Sequence, residues 1–320
     1  MEPMQHPNPA ANTVLITGGT GLVGQALSQL LLQNGYGVIV LTRRLPLQPD
    51  QKAHQALRYA LWNPTNQTID NEAIATASAV VHLAGAGVMD QPWTEAYKAE
   101  ISNSRIGSAG LLVKAMQTIP NHIETVISAS AIGWYGADAG GAAFAETDAA
   151  APGFLGDTCR KWEAAMAPAK DLGKRLVIFR TGIVLATTGG ALAEFLKPLR
   201  FRVAAILGNG TQMVSWIHAH DLARMMLYAL ENKAVQGVYN AVAPHPERNK
   251  AVNLALGKTL YGKAFLALPV PTTLLKLMLG ERSVEILKSA TVSAQKISNA
   301  GFVFNFPKLD AALKNLLGQN

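Results

Sequence analysis

Cysteine is almost missing from this chain. Cys159 stands alone, so no internal disulfide can form, and a reducing cytoplasm is the expected setting. Charge is scarce too: 15% of residues are charged and 49% are hydrophobic, which excludes a disordered chain and supplies a large core. Long apolar runs are absent, since none approaches the roughly 20 residues a membrane-crossing helix needs. The opening MEPMQHPNPAAN lacks the basic-then-apolar layout of a secretory leader and reads as a mobile tail over residues 1–12. There is no internal repeat. The net charge of +7 comes from basic residues scattered in runs of no more than two or three. That pattern points away from nucleic acid and membranes and toward small anionic molecules.

What is present is a dense glycine turn. Residues 13–24 read TVLITGGTGLVG. Val14-Leu15-Ile16 forms an apolar strand, and Ala26, Leu27, Leu30 and Leu31 give the helical spacing of the segment that follows. Gly18 permits a sharp turn, Gly21 lets backbone N–H groups approach a phosphate, and Gly24 lets helix and strand pack closely. The stretch Gly18, Gly19, Thr20, Gly21, Leu22, Val23 and Gly24 is therefore expected to hold a dinucleotide pyrophosphate at a helix N-terminus.

Further strands are predicted at 38–41, 80–84, 125–128 and 176–179, with helices at 95–116, 158–169 and 219–231. Strands alternating with helices imply an α/β fold, a Rossmann-type doubly wound parallel sheet whose ligands bind at the strands' carboxyl ends. This domain is expected to cover residues 13–245. A small C-terminal α+β lobe follows over 246–320, with helices at 249–260, 272–279, 283–289 and 309–317. Pro269-Val270-Pro271 is read as a break, and Gly301 to Pro307 as an extended aromatic segment. Leu274, Leu275, Leu277 and Met278 are read as packed core rather than a membrane-surface stripe, because Lys276 is the only basic residue among them.

The second strand ends Leu41-Thr42-Arg43-Arg44. A site for NAD places a carboxylate there to bind the ribose 2′-hydroxyl, whereas a site for NADP offers arginine to the 2′-phosphate. With no Asp or Glu present, Thr42 and Arg43 point to NADP(H).

With these segments in hand, the chain resembles the extended short-chain dehydrogenase/reductases of the NAD-dependent epimerase/dehydratase superfamily. The resemblance rests on the glycine turn, Val81-His82-Leu83-Ala84-Gly85, Ser128-Ala129-Ser130-Ala131, Trp134-Tyr135-Gly136, Arg180 to Leu185, and Trp216 to Ala223. Gly85-Ala86-Gly87, Trp93-Thr94-Glu95, Ser104-Arg105, Cys159 to Glu163 and the tail from Pro269 resemble a narrower epimerase-like subfamily with its own C-terminal domain, about 268–317. The resemblance implies that Leu83, Ala84, Gly85, Glu100, Arg105 and Val184 also face the nucleotide. It implies a small carbonyl or sugar-type substrate and a monomer or homodimer. Some subfamily labels imply a link to cell division.

The superfamily's catalytic pattern fails in this chain. Its members pair a tyrosine acid with a lysine one helical turn later, and a serine binds the same substrate oxygen. Counting back from Glu163 puts Cys159 at the lysine and Leu155 at the tyrosine, in register with Ser130. Leucine carries no proton, and a lone helical cysteine reads as buried and inert. Ser130 is left as the substrate-orienting group and Tyr135 as a phenol arriving from another direction. His218, His220 and Asp221 are read as a strand-to-helix junction without metal. Trp93, Trp134 and Trp216 are read either as core or as pocket lining. The expectation is an NADP-dependent oxidoreductase or epimerase; the alternative is a non-catalytic NADPH sensor.

Overall fold

The computed structural model describes residues 12–46, 56–138 and 141–318, so the expected N-terminal tail lies outside the described residues except for Asn12. The first half of the chain alternates strand and helix: β1 (Thr13–Thr17), α1 (Leu22–Gln33), β2 (Gly37–Thr42), β3 (Leu57–Asn63), β4 (Thr68–Ile69), α2 (Asn71–Thr76), β5 (Ala79–His82), α3 (Glu95–Thr118), β6 (Thr125–Ala131), α4 (Phe154–Met166) and β7 (Arg175–Thr181). Then come β8 (Ile183–Ala186), α5 (Gly190–Leu199), β9 (Val203–Leu207), β10 (Met213–Val214), β11 (Trp216–His218), α6 (Ala219–Glu231), β12 (Gly237–Ala241), β13 (Glu247–Arg248), α7 (Asn249–Tyr261) and β14 (Leu266–Val270). The remaining helices are α8 (Thr272–Leu279), α9 (Ser283–Leu287), α10 (Gln295–Asn299) and α11 (Leu309–Leu316).

Eight strands form the main sheet in the order β12-β7-β6-β5-β1-β2-β3-β4. Neighbours pair in parallel except β4, which closes the edge antiparallel to β3. The chain leaves β1 toward β2 on one side and later returns to β5 on the other. The carboxyl end of β1 is therefore the switch point at which ligands bind in such sheets. Alternation along β1 builds both cores. Val14 and Ile16 pack with Leu27 and Leu31 of α1 and with α6, while Leu15 packs with α2, α3 and α4. No helix among the described residues is long and apolar enough to cross a membrane.

The core of the small lobe also draws on residues before 246. It joins Leu185, Leu192, Leu199, Ala204 and Trp216 to Val252, Leu256 and Leu313. Conversely, Ala290, Val292, Ile297 and Phe302 pack into the nucleotide-side core. The corrections are local. The expected break at Pro269 is the end of β14, a strand in which proline is tolerated because Leu266 and Val270, not Pro269, bond to β9's segment. The helix expected at 158 starts four residues earlier, after Gly153 at φ +105. The helix expected to reach Ser289 ends at Leu287. Within the Leu-Met stripe only Leu275 is buried; Leu274, Leu277 and Met278 are exposed, contrary to the expected core packing.

Candidate functional site

The glycine turn joins β1 to α1 with no space for a Cβ at Gly18, Gly19 or Gly24. Gly18 sits at φ +68, and a Cβ there would lie 2.9 Å from the Leu83 carbonyl carbon and oxygen. A Cβ on Gly24 would overlap the Gly18 carbonyl oxygen and lie 2.8 Å from the Gly19 carbonyl carbon. The Gly21 N–H donates to Gly18 O at 3.0 Å and closes the turn. Gly21 also caps α1 without a side-chain acceptor, and the first helical turn holds no acidic residue. The orphan amides and the positive end of the helix dipole are thus left for an anion. Thr20 is exposed, Leu22 and Val23 are half-buried, and the Thr20 carbonyl is held by Gln25 Nε2 at 2.8 Å. Leu22 also approaches Gly190, which is bridged to β8 beside Val184.

At the end of β2, Thr42 Oγ1 donates to Arg44 O at 2.9 Å and accepts from Arg44 N at 3.3 Å. That local turn presents Arg43 to solvent, with no carboxylate partner among the described residues.

The far wall is held by residues to which the sequence assigned no role. Thr17 Oγ1 accepts from the N–H groups of Leu83 (3.1 Å) and Ala84 (3.2 Å). Its own proton is therefore directed to His82 Nδ1, 2.7 Å away. His82 then carries its proton on Nε2, facing Ser108 Oγ at 3.3 Å. Ser108 in turn donates to the Ser104 carbonyl at 2.5 Å. One neutral imidazole thus ties together the ends of β1 and β5 and the body of α3. His82 was visible in the quoted motif, but nothing around it in sequence identifies Thr17 and Ser108 as its partners.

Burial pushes the His82 pKa down to about 4, with the nearby Arg105 charge acting in the same direction. The unfolded value is near 6.5. Between the two values the unfolded chain binds a proton that the folded chain refuses. This contribution is complete above the unfolded pKa and is lost as pH falls toward 4, by about 3 kcal/mol for a shift of this size. His82→Asn keeps an acceptor for Thr17 and removes the titration. Urea midpoints of the variant should fall less steeply than wild type below pH 6.5; parallel slopes would contradict the assignment.

Arg105 reaches back from α3, donating through Nη1 to Ala86 O and Ile101 O, both at 2.9 Å. Its guanidinium lies 5.1 Å from the Trp162 ring centroid and packs against Gly85, where a Cβ would sit 2.9 Å from Arg105 Cζ. It has no carboxylate partner among the described residues. Glu100 is exposed on the same helix.

On α4, Leu155 and Cys159 face the turn after β6, 3.3 and 3.7 Å from the Cβ position of Gly133. Cys159 is buried, and burial raises its thiol to about 11, with the Glu163 charge adding to the effect.

Ser130 and Tyr135, the two expected catalytic groups, are both taken up by one buried network. Ser130, 3% exposed, donates to Glu163 Oε1 at 2.7 Å. Arg180 grips the same carboxylate through Nε (2.9 Å) and Nη2 (3.1 Å). Arg180 Nη1 donates to the Tyr135 oxygen at 3.1 Å, and the Tyr135 hydroxyl donates to Asn240 Oδ1 at 2.7 Å. Tyr135 is 1% exposed, stacked on Phe144, and burial raises its pKa. Its expected role as proton donor is corrected on this ground: the phenol is a strut in the core. Ser130 is likewise turned to Glu163 rather than to open space. No sequence signal linked Arg180 to Glu163.

His218 caps α6 by accepting the His220 N–H on Nδ1 at 3.0 Å. Asp221 accepts from the Asn305 and Phe306 amides at 2.9 and 2.8 Å, which anchors the aromatic tail. Of the tryptophans, Trp216 is core, Trp93 packs edge-on against Phe154, and Trp134 lies under the Arg180 guanidinium at 3.5 Å.

The model for the "NAD dependent epimerase/dehydratase family" matches residues 14–154 and 190–241 of this chain, spanning the glycine turn, the β5 wall and β12. The chain belongs to the NAD-dependent epimerase/dehydratase family. Residues 270–316 match a domain of unknown function, DUF1731. Among members of this family, the chain is 33% identical over 304 residues to an epimerase family protein of Staphylococcus saprophyticus, covering 95% of this chain and 98% of that one. It is 32% identical over 314 residues to the human epimerase family protein SDR39U1, covering 95% and 99%. A crystal structure of human SDR39U1 (isoform 2) with NADPH superposes with a TM-score of 0.84 at 29% identity, over 96% of this chain and 100% of that one. The UDP-glucuronic acid 4-epimerase of Bacillus cereus, solved with UDP-glucuronic acid and NAD, shares the family fold at TM-score 0.78 and 20% identity, over 96% and 98%.

Proposed function

We propose that this chain is an NADP(H)-dependent oxidoreductase of the extended short-chain type, acting on a small carbonyl or sugar-type substrate without the tyrosine acid of its superfamily. The observation that carries this reading is an uncapped helix N-terminus behind a turn with no room for a Cβ at Gly18, Gly19 or Gly24, next to a strand end bearing Arg43 and no carboxylate. These residues fit a dinucleotide, and the human relative is solved with NADPH. Gly18 to Gly24 would bind the diphosphate, Thr42 and Arg43 the 2′-phosphate, and Leu83 to Gly85 the adenine side, with Glu100, Arg105 and Val184 completing the wall.

NADPH, when bound, supplies a hydride. The chain's own contribution is electrostatic. Arg105 brings a permanent cation to the neighbourhood of Cys159, where the superfamily's lysine would stand. A guanidinium there can hold a ribose hydroxyl or polarise a carbonyl oxygen, with the proton coming from water. A second reading, a nucleotide sensor without turnover, is favoured by one specific observation: Ser130 and Tyr135 are both committed to the buried network.

Incubation with NADPH and a panel of carbonyl compounds, followed by loss of nicotinamide absorbance, separates the two readings. The oxidoreductase reading expects turnover that falls roughly 100-fold in Arg105→Ala and changes little in Tyr135→Phe. Tight NADPH binding with no turnover across the panel would favour the sensor.

A further inference from the structure

The small lobe exposes an apolar surface bordered by basic side chains. Ala204 and Ile206 of β9 turn inward onto the lobe's helices. Strand alternation therefore puts Val203, Ala205 and Leu207 on the opposite face, together with their in-register partners Leu266, Leu268 and Val270 on β14. That face has no polar side chain. Phe201, 83% exposed, stands at its corner, where Leu266 N donates to the carbonyl of Arg202 at 2.8 Å. Across Pro271, α8 continues the surface with Leu274, Leu277 and Met278 on one helical stripe, Leu277 being 84% exposed.

Charge indicates what covers this surface. Residues 194–221 and 247–281 contain eight Lys or Arg against four Asp or Glu, and three of those acids, Glu194, Asp221 and Glu281, are paired with Lys197, Arg224 and Lys98. Pairing of β9 with β14 brings Arg200, Arg202 and Lys263 to the borders of this face, whereas Arg248 immediately precedes α7 and Lys250 and Lys258 belong to it, and α7 packs on the inward side. All eight are exposed, and only Lys197 has a carboxylate partner among the described residues. Arg200, Arg202, Lys263 and Lys276 flank the apolar residues directly in the chain. A second strand is a poor occupant: Leu266 and Val270 bond to the β9 segment, which leaves Ala267 and Pro269 to face the free edge, and proline has no N–H to offer.

Exposed aliphatic and aromatic side chains rimmed by unpaired cations match the chemistry of an anionic bilayer surface. We infer that the β14–α8 face of the small lobe docks this protein on anionic lipid membranes, peripherally and without crossing them. The inference revises the expectation of no membrane partner, and it does not depend on the proposed reaction.

Co-sedimentation of the full-length protein with large unilamellar vesicles tests it. Vesicles of equal parts phosphatidylglycerol and phosphatidylcholine should bind the protein at least roughly tenfold more tightly than phosphatidylcholine alone, with binding weakened by added salt. Leu277→Asp/Met278→Asp and Arg202→Glu/Lys263→Glu should each reduce binding to the anionic vesicles at least roughly tenfold, while NADPH binding and the circular dichroism spectrum stay unchanged. Three results would overturn the inference: no binding to the anionic vesicles, binding that both variants retain, or a homodimer in sedimentation velocity that the Leu277→Asp/Met278→Asp variant dissociates.

Discussion

Gly24→Ala is expected to weaken nucleotide binding roughly 100-fold. The added methyl overlaps the Gly18 carbonyl oxygen and meets the Gly19 Cα at 2.5 Å, and both obstacles are backbone. Backbone cannot rotate away as the end of a long side chain can, so either α1 moves outward or the turn opens. Either change pulls the orphan amides of the first helical turn off the phosphates. Overpacking of this kind costs about 3 kcal/mol or more, which corresponds to roughly a 100-fold loss of NADPH affinity. Gly107→Ala and Gly110→Ala on α3 are the contrasting pair, because a Cβ at either position meets nothing within 4 Å. Each should leave binding unchanged and add about 0.5–1 kcal/mol of stability by restricting the unfolded chain. Fluorescence titration with NADPH and urea melts of the three variants make the comparison. A Gly24→Ala protein that binds as tightly as wild type would show that the turn is not the phosphate site.

The second large effect is expected at Glu163. Its carboxylate is 10% exposed and receives two bonds from Arg180, itself 3% exposed, as well as the Ser130 hydroxyl. Glu163→Ala leaves a buried guanidinium without its counter-ion. Such a loss costs about 3–5 kcal/mol, or a melting temperature lower by on the order of 10 °C in a chain of this size. Glu163→Gln retains an acceptor for Ser130 and should fall in between. By contrast, Glu194→Ala breaks an exposed pair with Lys197 and should cost less than about 1 kcal/mol. Thermal denaturation of the three variants ranks them. Equal melting temperatures for Glu163→Ala and wild type would mean that the network does not hold the β6–β7–α4 junction together.

The contrast between these two sites explains how much of the molecule was legible in sequence. The nucleotide turn is a local device. Strand, three glycines and helix follow within 20 residues, and the physical reason for each glycine is satisfied by neighbours a few positions away or on the adjacent strand. The same holds for the end of β2 at Thr42 and for α6 after His218. What could not be read were arrangements made by distant partners. Arg180 meets Glu163 and Tyr135 only because β6, β7 and α4 pack together, and that packing turned a candidate acid into a core strut. Thr17, His82 and Ser108 join through the switch point of the sheet. The small lobe's core is also made by distant partners: α5 and β9 precede residue 245 but share a core with α7 and α11. The Leu-Met stripe of α8 has the spacing of a buried helix face, and nothing local reveals that Leu274, Leu277 and Met278 stay exposed.

Equilibrium binding of NADPH and NADH, measured side by side on wild type and Arg43→Ala, bears most directly on the nucleotide site. An arginine fork on a 2′-phosphate, with no carboxylate at the end of β2, predicts a preference for NADPH on the order of 100-fold. It predicts that Arg43→Ala loses most of that preference by weakening NADPH while leaving NADH affinity in place. Equal wild-type affinities for the two nucleotides, or a variant that keeps the full preference, would contradict it.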